Sequence, residues 1–377
     1  MSKPVVLVLG GVGFIGRNLV KLLIDEDLAS EIVVADKRMK ETSHFHPVHL
    51  AAFEDGRVAF KQADLSRSGS VDKVFALRER FDVVVNCAGH TRFGDPPGVY
   101  ERNVTKLSAL CGAKAAEMGA RFIELSTAQI YKAQSRAPAA EDAELAPWTL
   151  QAAAKAAAET RLREVDGLDW VLLRPAVVYG EGDVYGLMPR AVCAAAYVQL
   201  GETMKFLWEA SLRINTVHVV DVCRAVAHCF PRPGGVPSGA VFNLCDRNDT
   251  DQGKVNELLS SIFGIRTGFV GYMLSNVARV NLAGVLEAAN EKHLAPWNAL
   301  CREHGIAFSP LTSSQPLELF QHNHLYIDGT AIEGTGFEYA KPTVTEEGLG
   351  GMVTFAVDQG IFPPVFGGQE GKEEAKG

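Results

Sequence analysis

Short aliphatic runs alternate with longer amphipathic stretches through the first half of the chain. The runs at 5–9 (VVLVL), 31–35 (EIVVA), 58–61, 82–87 (DVVVNC), 121–126 (RFIELS) and 169–173 (DWVLL) predict strands. Helical spacing near 14–27, 68–79, 98–119 and 147–166 predicts the helices between them. The strand runs are rich in Val, Ile and Leu without polar alternation, as a parallel sheet covered on both faces requires. A βαβαβ rhythm of this kind predicts a doubly wound α/β sheet of the Rossmann type. After about residue 175 the rhythm loosens, with Gly and Pro frequent at 180–189 and 231–238. We therefore expect a sheet domain over 1–175 with returning pieces near 210–245. A smaller mixed lobe over 176–366 and a polar, disordered tail at 367–377 complete the expected organisation.

Composition narrows the function classes. Of 377 residues, 47% are hydrophobic and 22% charged, which excludes disordered and fibrous chains. The charge sum of 37 − 45 = −8, with no long Lys/Arg run, argues against a nucleic-acid partner. Seven cysteines form no CxxC pair, which fits a reducing compartment and thiols used as small buried groups. Only four residues precede the first strand, so no leader peptide and a cytoplasmic location are expected. No apolar stretch is long enough to span a membrane. The nearest, 261–289, is interrupted by Arg266 and Arg279 and reads as a buried helix pair, with a lipid-facing lid as the alternative.

The chemistry begins at Gly10-Gly11-Val12-Gly13-Phe14-Ile15-Gly16, which follows a strand and opens a helix. Glycines there allow a tight turn, close approach of a pyrophosphate, and close packing of helix on strand. The helix start then offers free N–H groups and positive dipole to phosphate. Asp36 ends the second strand 20 residues after Gly16, where a carboxylate can accept from both ribose hydroxyls of an adenosine. The same carboxylate would repel a 2′-phosphate, so NAD is favoured over NADP. Lys37 and Arg38 follow it and could neutralise a 2′-phosphate if the carboxylate turned away.

These motifs resemble the extended short-chain dehydrogenase/reductases, the NAD-dependent epimerase/dehydratase and 3β-hydroxysteroid dehydrogenase-like group. Further matches are Asp64-Leu65, Asn86-Cys87-Ala88-Gly89, Asn103-Val104-Thr105, Leu125-Ser126-Thr127, Lys155-Ala156-Ala157-Ala158-Glu159 and 173–180 (LRPAVVYG). Late in the chain, 217–222 (VHVVDV), 336–339 (GFEY) and 341–343 (KPT) extend the likeness, while 266–324 is unlike the family. The resemblance implies that Gly10, Gly13, Phe14, Ile15 and Gly16 hold the pyrophosphate and Asp36 the adenine ribose. It implies that Asp64 and Leu65 flank the adenine, and that Cys87, Ala88 and Gly89 pass the central phosphates, with Asn103 near the cofactor. Pro175 to Val178 would lie along the nicotinamide, and Lys155 would hold its ribose.

In that family a Ser or Thr, a Tyr and a Lys act together, the Tyr and Lys four apart on one helix face. The Lys lowers the phenol pKa, and the phenol exchanges a proton with substrate as hydride moves. Thr127 stands in the hydroxyl position and Lys155 in the lysine position, but four residues before Lys155 stands Gln151. No tyrosine lies between Tyr131 and Tyr179, so no shift of register restores one. A carboxamide only donates or accepts hydrogen bonds. Loss of a positioned acid–base group forfeits roughly 10²–10⁴ in rate. The resemblance thus implies a dinucleotide-binding structural or regulatory subunit, in a larger assembly or a homodimer. The alternative is an oxidoreductase or epimerase acting on a small nucleotide-sugar or steroid-like substrate, with His90, His218 or a Gln151-oriented water supplying the proton. His44, His46 and His49, and likewise His322 and His324, read as exposed loop residues rather than metal ligands. Arg213 resembles a residue that contacts a nucleotide-sugar diphosphate.

Overall fold

The computed structural model describes residues 3–231 and 233–366; the segment 367–377, expected to be disordered, lies outside the described residues. Seven strands form one parallel sheet: β1 (Val5–Leu9), β2 (Glu31–Asp36), β3 (Val58–Gln62), β4 (Val83–Asn86), β5 (Arg121–Leu125), β6 (Asp169–Pro175) and, much later, β10 (Ala240–Leu244). Their order is β10-β6-β5-β4-β1-β2-β3. The chain turns outward in opposite directions from β1 and β4, and the crevice beyond their carboxyl ends is where open α/β sheets bind ligands.

Alternate residues of each strand enter cores on opposite faces. Val6, Val8, Ile32 and Val34 pack with the helices Phe14–Asp25 and Val219–His228. Leu7, Leu9, Val33 and Val84 pack with Val71, Val74, Leu107 and Leu162. Full burial of each such side chain contributes about 1.5–3 kcal/mol relative to exposure, which is why these runs carry no polar alternation. Two short parallel pairs lie outside the sheet. In one, β7 (Val177–Tyr179) pairs with β9 (Thr216–His218). In the other, β8 (Met204–Phe206) pairs with β11 (Thr267–Phe269).

A separate core joins the helices Met188–Leu200, Gln252–Phe263, Leu282–Glu303 and Glu346–Asp358. The family-like segments 217–222 and 336–343 are tied together through one carboxylate. Asp221, fully buried, accepts from the backbone N–H of Ala340 at 2.7 Å and of Lys341 at 2.8 Å.

The expectation of a buried helix pair over 261–289 is corrected. The helix Gln252–Phe263 buries its apolar side, but in the helix Tyr272–Arg279 only Ser275 is buried. Leucine, valine and methionine side chains of that helix face outward instead.

Candidate functional site

Gly10 sits at φ +73° in the turn after β1, and a Cβ there would stand 2.5 Å from the backbone of Ala88. A Cβ at Gly16 would meet the carbonyl oxygen of Gly10 at 2.5 Å. These two glycines let the turn lie against β4 and the helix lie against the turn. Gly13 precedes the helix Phe14–Asp25 without a side-chain cap, leaving first-turn N–H groups free for an anion. Asp36 is buried; its carboxylate accepts from Val12 N at 3.1 Å and Arg38 N at 2.9 Å, which aims it into the crevice beside the turn.

A cavity of about 710 Å³ runs outward from this point. Gly10, Gly13, Phe14, Ile15, Asp36, Lys37, Asp64, Leu65, Cys87, Ala88, Gly89, Asn103, Thr127, Gln151, Pro175 and Val178 all line it. Gly16 and Lys155 stand outside that lining. Asn103 lies in a π-helical turn, Glu101–Lys106, that interrupts the long helix predicted over 98–119. Burial pushes the Cys87 thiol up to about 12, so it stays protonated.

The centre of the cavity differs from expectation at the lysine. Thr149 caps the helix Leu150–Arg163, its hydroxyl accepting from Ala152 N at 3.0 Å, so Gln151 falls in the first turn and Lys155 one turn later. Gln151 reaches the cavity. Lys155 instead turns inward, its Nζ donating to Glu124 Oε1 at 2.8 Å, and both side chains are buried. Asn86 Nδ2 donates to Glu124 Oε2 at 2.6 Å, and Ser108 Oγ to Glu124 Oε1 at 3.2 Å. Asn86 and Glu124 face each other in register on β4 and β5. Sequence reasoning missed Glu124; the signal was a carboxylate inside a strand that has to be buried on both faces. Lys155 still lies beneath the cavity floor, 3.8 Å from where a Cβ on Gly89 would stand.

Of the two histidines named as substitute acids, only His90 lines the cavity. Its Nε2 lies 2.7 Å from Asp95 Oδ2, and its ring meets Tyr100 edge-on at 5.2 Å. His218 is buried, its Nδ1 accepting from Val220 N at 3.3 Å, so it caps a helix outside the cavity. Desolvation lowers its pKa against the opposing pull of Glu181 and Asp221. Tyr131 is scaffold: its hydroxyl donates to Asn243 Oδ1 at 2.7 Å and accepts from Arg174 at 2.6 Å. Arg174 in turn holds Glu159 at 2.6 Å, tying the segments 125–131, 155–159 and 173–180 into one buried network.

The wall contributed by residues beyond 180 is mostly apolar, with Tyr197, Phe206, Trp208, Val270, Leu286 and Phe320 prominent. Arg190 stacks over Phe206 at 4.8 Å and donates to Gln252 Oε1 at 3.1 Å. Burial pulls its pKa down to about 10, and no carboxylate pairs with it among the described residues. Arg213 lies outside the cavity, over the ring of Tyr326 at 5.2 Å.

The histidine loops are not plain exposed segments. His49 is fully buried, with Nε2 3.1 Å from Asn18 Oδ1. His46 stacks on Phe355 at 4.0 Å and His44 on Phe308 at 4.9 Å, so the loop is held by aromatic contacts with the far end of the chain. His322 and His324 gather with Glu209, within 4.8 Å of one another. His322 Nε2 lies 2.8 Å from Glu209 Oε1, and His324 Nδ1 accepts from Arg213 N at 3.1 Å. That acceptance puts the proton of neutral His324 on Nε2, leaving no lone pair there for a metal.

Turn, carboxylate and switch-point crevice together define a dinucleotide-binding α/β protein. Residues 6–245 match the NAD dependent epimerase/dehydratase family, and the chain belongs to that family. UDP-glucose 4-epimerase 3 of Oryza sativa subsp. japonica is 28% identical over 201 residues, covering 50% of this chain and 53% of that one. The chain thus spans about half the length of this curated relative. Among solved structures, Bordetella bronchiseptica WbmG in complex with NAD and UDP superposes with a TM-score of 0.69 at 17% identity, over 96% of both chains. The complex of the Thermus thermophilus UDP-glucose 4-epimerase with NAD gives 0.65 at 18% identity, over 94% of this chain and 99% of that one.

Proposed function

We propose that the protein binds NAD in the glycine-turn half of the cavity but does not carry out phenol-dependent proton exchange, acting as a nucleotide-binding structural or regulatory subunit. The observation that carries this reading is the pairing of Gln151 at the cavity with Lys155 turned onto Glu124. The residues present fit the cofactor. Gly13 and the open first turn of its helix would take the pyrophosphate, and Asp36 the adenine ribose. Asp64 and Leu65 would flank the adenine, and Pro175 to Val178 the nicotinamide. When bound, NAD supplies a hydride acceptor. What the chain withholds is a group of suitable pKa beside it, because Gln151 has none and Lys155 already neutralises a carboxylate.

The test is to assay the purified protein with NAD against alcohols and the nucleotide sugars of its relatives. NAD should raise the melting temperature while neither NADH nor an epimerised or dehydrated sugar forms, the sugars being followed by chromatography because an epimerase returns its hydride and leaves no net NADH. NADH formation, or a changed sugar, that survives exchange of the buffer components would overturn the reading.

A second reading has its own observation. His90 lines the cavity, and Asp95 Oδ2 at 2.7 Å from its Nε2 gives it the arrangement of a general base and its orienting carboxylate. It makes the protein an oxidoreductase or epimerase. It would then show turnover that His90→Gln abolishes without loss of NAD binding.

A further inference from the structure

The helix Tyr272–Arg279 is built inside out. Its buried residue is Ser275, whose Oγ accepts from the backbone N–H of Trp208 at 2.7 Å. Its exposed residues are Tyr272 (53%), Met273 (84%), Leu274 (65%) and Val277 (71%), and Val280 follows at 90%. Met273, Val277 and Val280 are spaced i, i+4, i+7, so they form one ridge along one side. Five large apolar side chains so close together are not the scattered singles that water tolerates. Charge is equally uneven. From 258 to 286 the sequence contains no Asp or Glu, and its charged residues are Arg266 and Arg279, both exposed, in a chain whose net charge is −8.

The ridge also adjoins the cavity. Gly271 N donates to the carbonyl of Trp208 at 3.0 Å, and Trp208, Val270, Val285 and Leu286 line the cavity immediately behind the helix. An apolar face whose own stretch of chain carries two arginines and no acid, with the neighbouring Glu209 held by His322 at 2.8 Å, has the chemistry of a segment that lies in the headgroup boundary of an anionic bilayer. No helix among the described residues is long and apolar enough to cross a membrane, so the contact is with a surface.

We propose that Tyr272–Val280 docks this protein on an anionic lipid surface, with Met273, Val277 and Val280 entering the acyl boundary and Arg266 and Arg279 meeting lipid phosphates. Docking places the apolar wall of the cavity next to the bilayer, so a ligand dissolved in lipid reaches it without crossing bulk water. Docking of this kind is independent of whether the site turns over, since it uses none of the groups around Gln151.

The test is co-sedimentation of the full chain, loaded with NAD, with phosphatidylcholine vesicles and with vesicles that also contain phosphatidylserine. Binding should increase with phosphatidylserine. Arg266→Glu with Arg279→Glu should weaken binding to the anionic vesicles by about tenfold or more and leave the neutral ones unchanged. Met273→Glu with Val277→Glu should abolish binding to both. All four positions are exposed, so the NAD-induced melting shift should persist in both variants, which separates failure of docking from failure of folding or of the cofactor site. Absence of sedimentation with either vesicle would overturn the proposal. So would binding indifferent to both double substitutions, or light scattering that shows a dimer dissolved by Met273→Glu with Val277→Glu and no vesicle binding.

Discussion

The two ends of the cavity are made in opposite ways. At the inner end, backbone geometry dominates: glycines permit close approaches, strand ends aim Asp36 and Asn86, and each of these buried polar groups has a partner within about 3 Å. At the outer end the wall is aromatic and aliphatic, and its half-buried cation Arg190 meets a ring and an amide rather than an acid. The difference teaches where this chain has little freedom to vary. The inner end depends on interlocking pairs, so single substitutions should be severe. The outer end depends on area, so its substitutions should be graded.

The sharpest way to break that contrast is at Lys155. Lys155→Met strands a buried Glu124 carboxylate and should cost about 3–5 kcal/mol in urea unfolding, whereas Lys155→Met with Glu124→Leu should recover most of it. Equal stability of the single and double variants would mean that the stranded carboxylate is not what the single variant loses. The pair also bears on activity. Gln151→Tyr alone should give little turnover, read as NADH or as changed sugar, because the cation that would lower the new phenol is engaged. Gln151→Tyr with Glu124→Leu should give more, and a reverse ranking would refute that account.

Behind the inner end, His49 is held neutral, burial and the nearby Arg17 pushing its pKa down to about 3. The unfolded chain binds a proton there below about pH 6.5, and the folded one does not until far lower. Stability therefore falls as pH drops through that interval, by about 3 kcal/mol at pH 4. His49→Gln should flatten this acid limb, read as the difference between the two unfolding curves at pH 7 and pH 4. Asp36→Ala should remove the NAD-induced stabilisation, about 2.7 kcal/mol at a hundredfold excess over Kd, and should also lower the ligand-free melting temperature, because it orphans the amides of Val12 and Arg38. At the outer end, Arg190→Met should act with opposite sign. It removes a half-buried cation that no carboxylate neutralises and should raise stability by about 1 kcal/mol, measured as a higher urea midpoint at unchanged slope.

The six N-terminal strands were legible because each is an aliphatic run with no competing signal, and the glycine turn because its spacing has one physical use. The place of Gln151 at the cavity was legible from a fixed interval to Lys155 on one helix. What the interval could not tell was which way Lys155 turns, since that depends on Glu124 across the sheet and thirty-one positions away. The histidine loop misled because His49 contacts Asn18 and His46 contacts Phe355, partners that no local window contains. The region 266–324 stayed opaque for a different reason. Its helix Tyr272–Arg279 violates the rule that apolar faces turn inward, and a pattern read by that rule assigns it to the core.

The clamp between Asp221 and the amides of Ala340 and Lys341 has an implication for how the chain is made. A carboxylate with no exposure depends for its hydrogen bonds on donors that leave the ribosome more than a hundred residues after it. Until they emerge, packing the helix Val219–His228 against the central sheet would bury that carboxylate with two donors missing, at a cost that keeps the helix loose. The helix Val219–His228 and the segment that carries Ala340 and Lys341 should therefore order together, as one cooperative event.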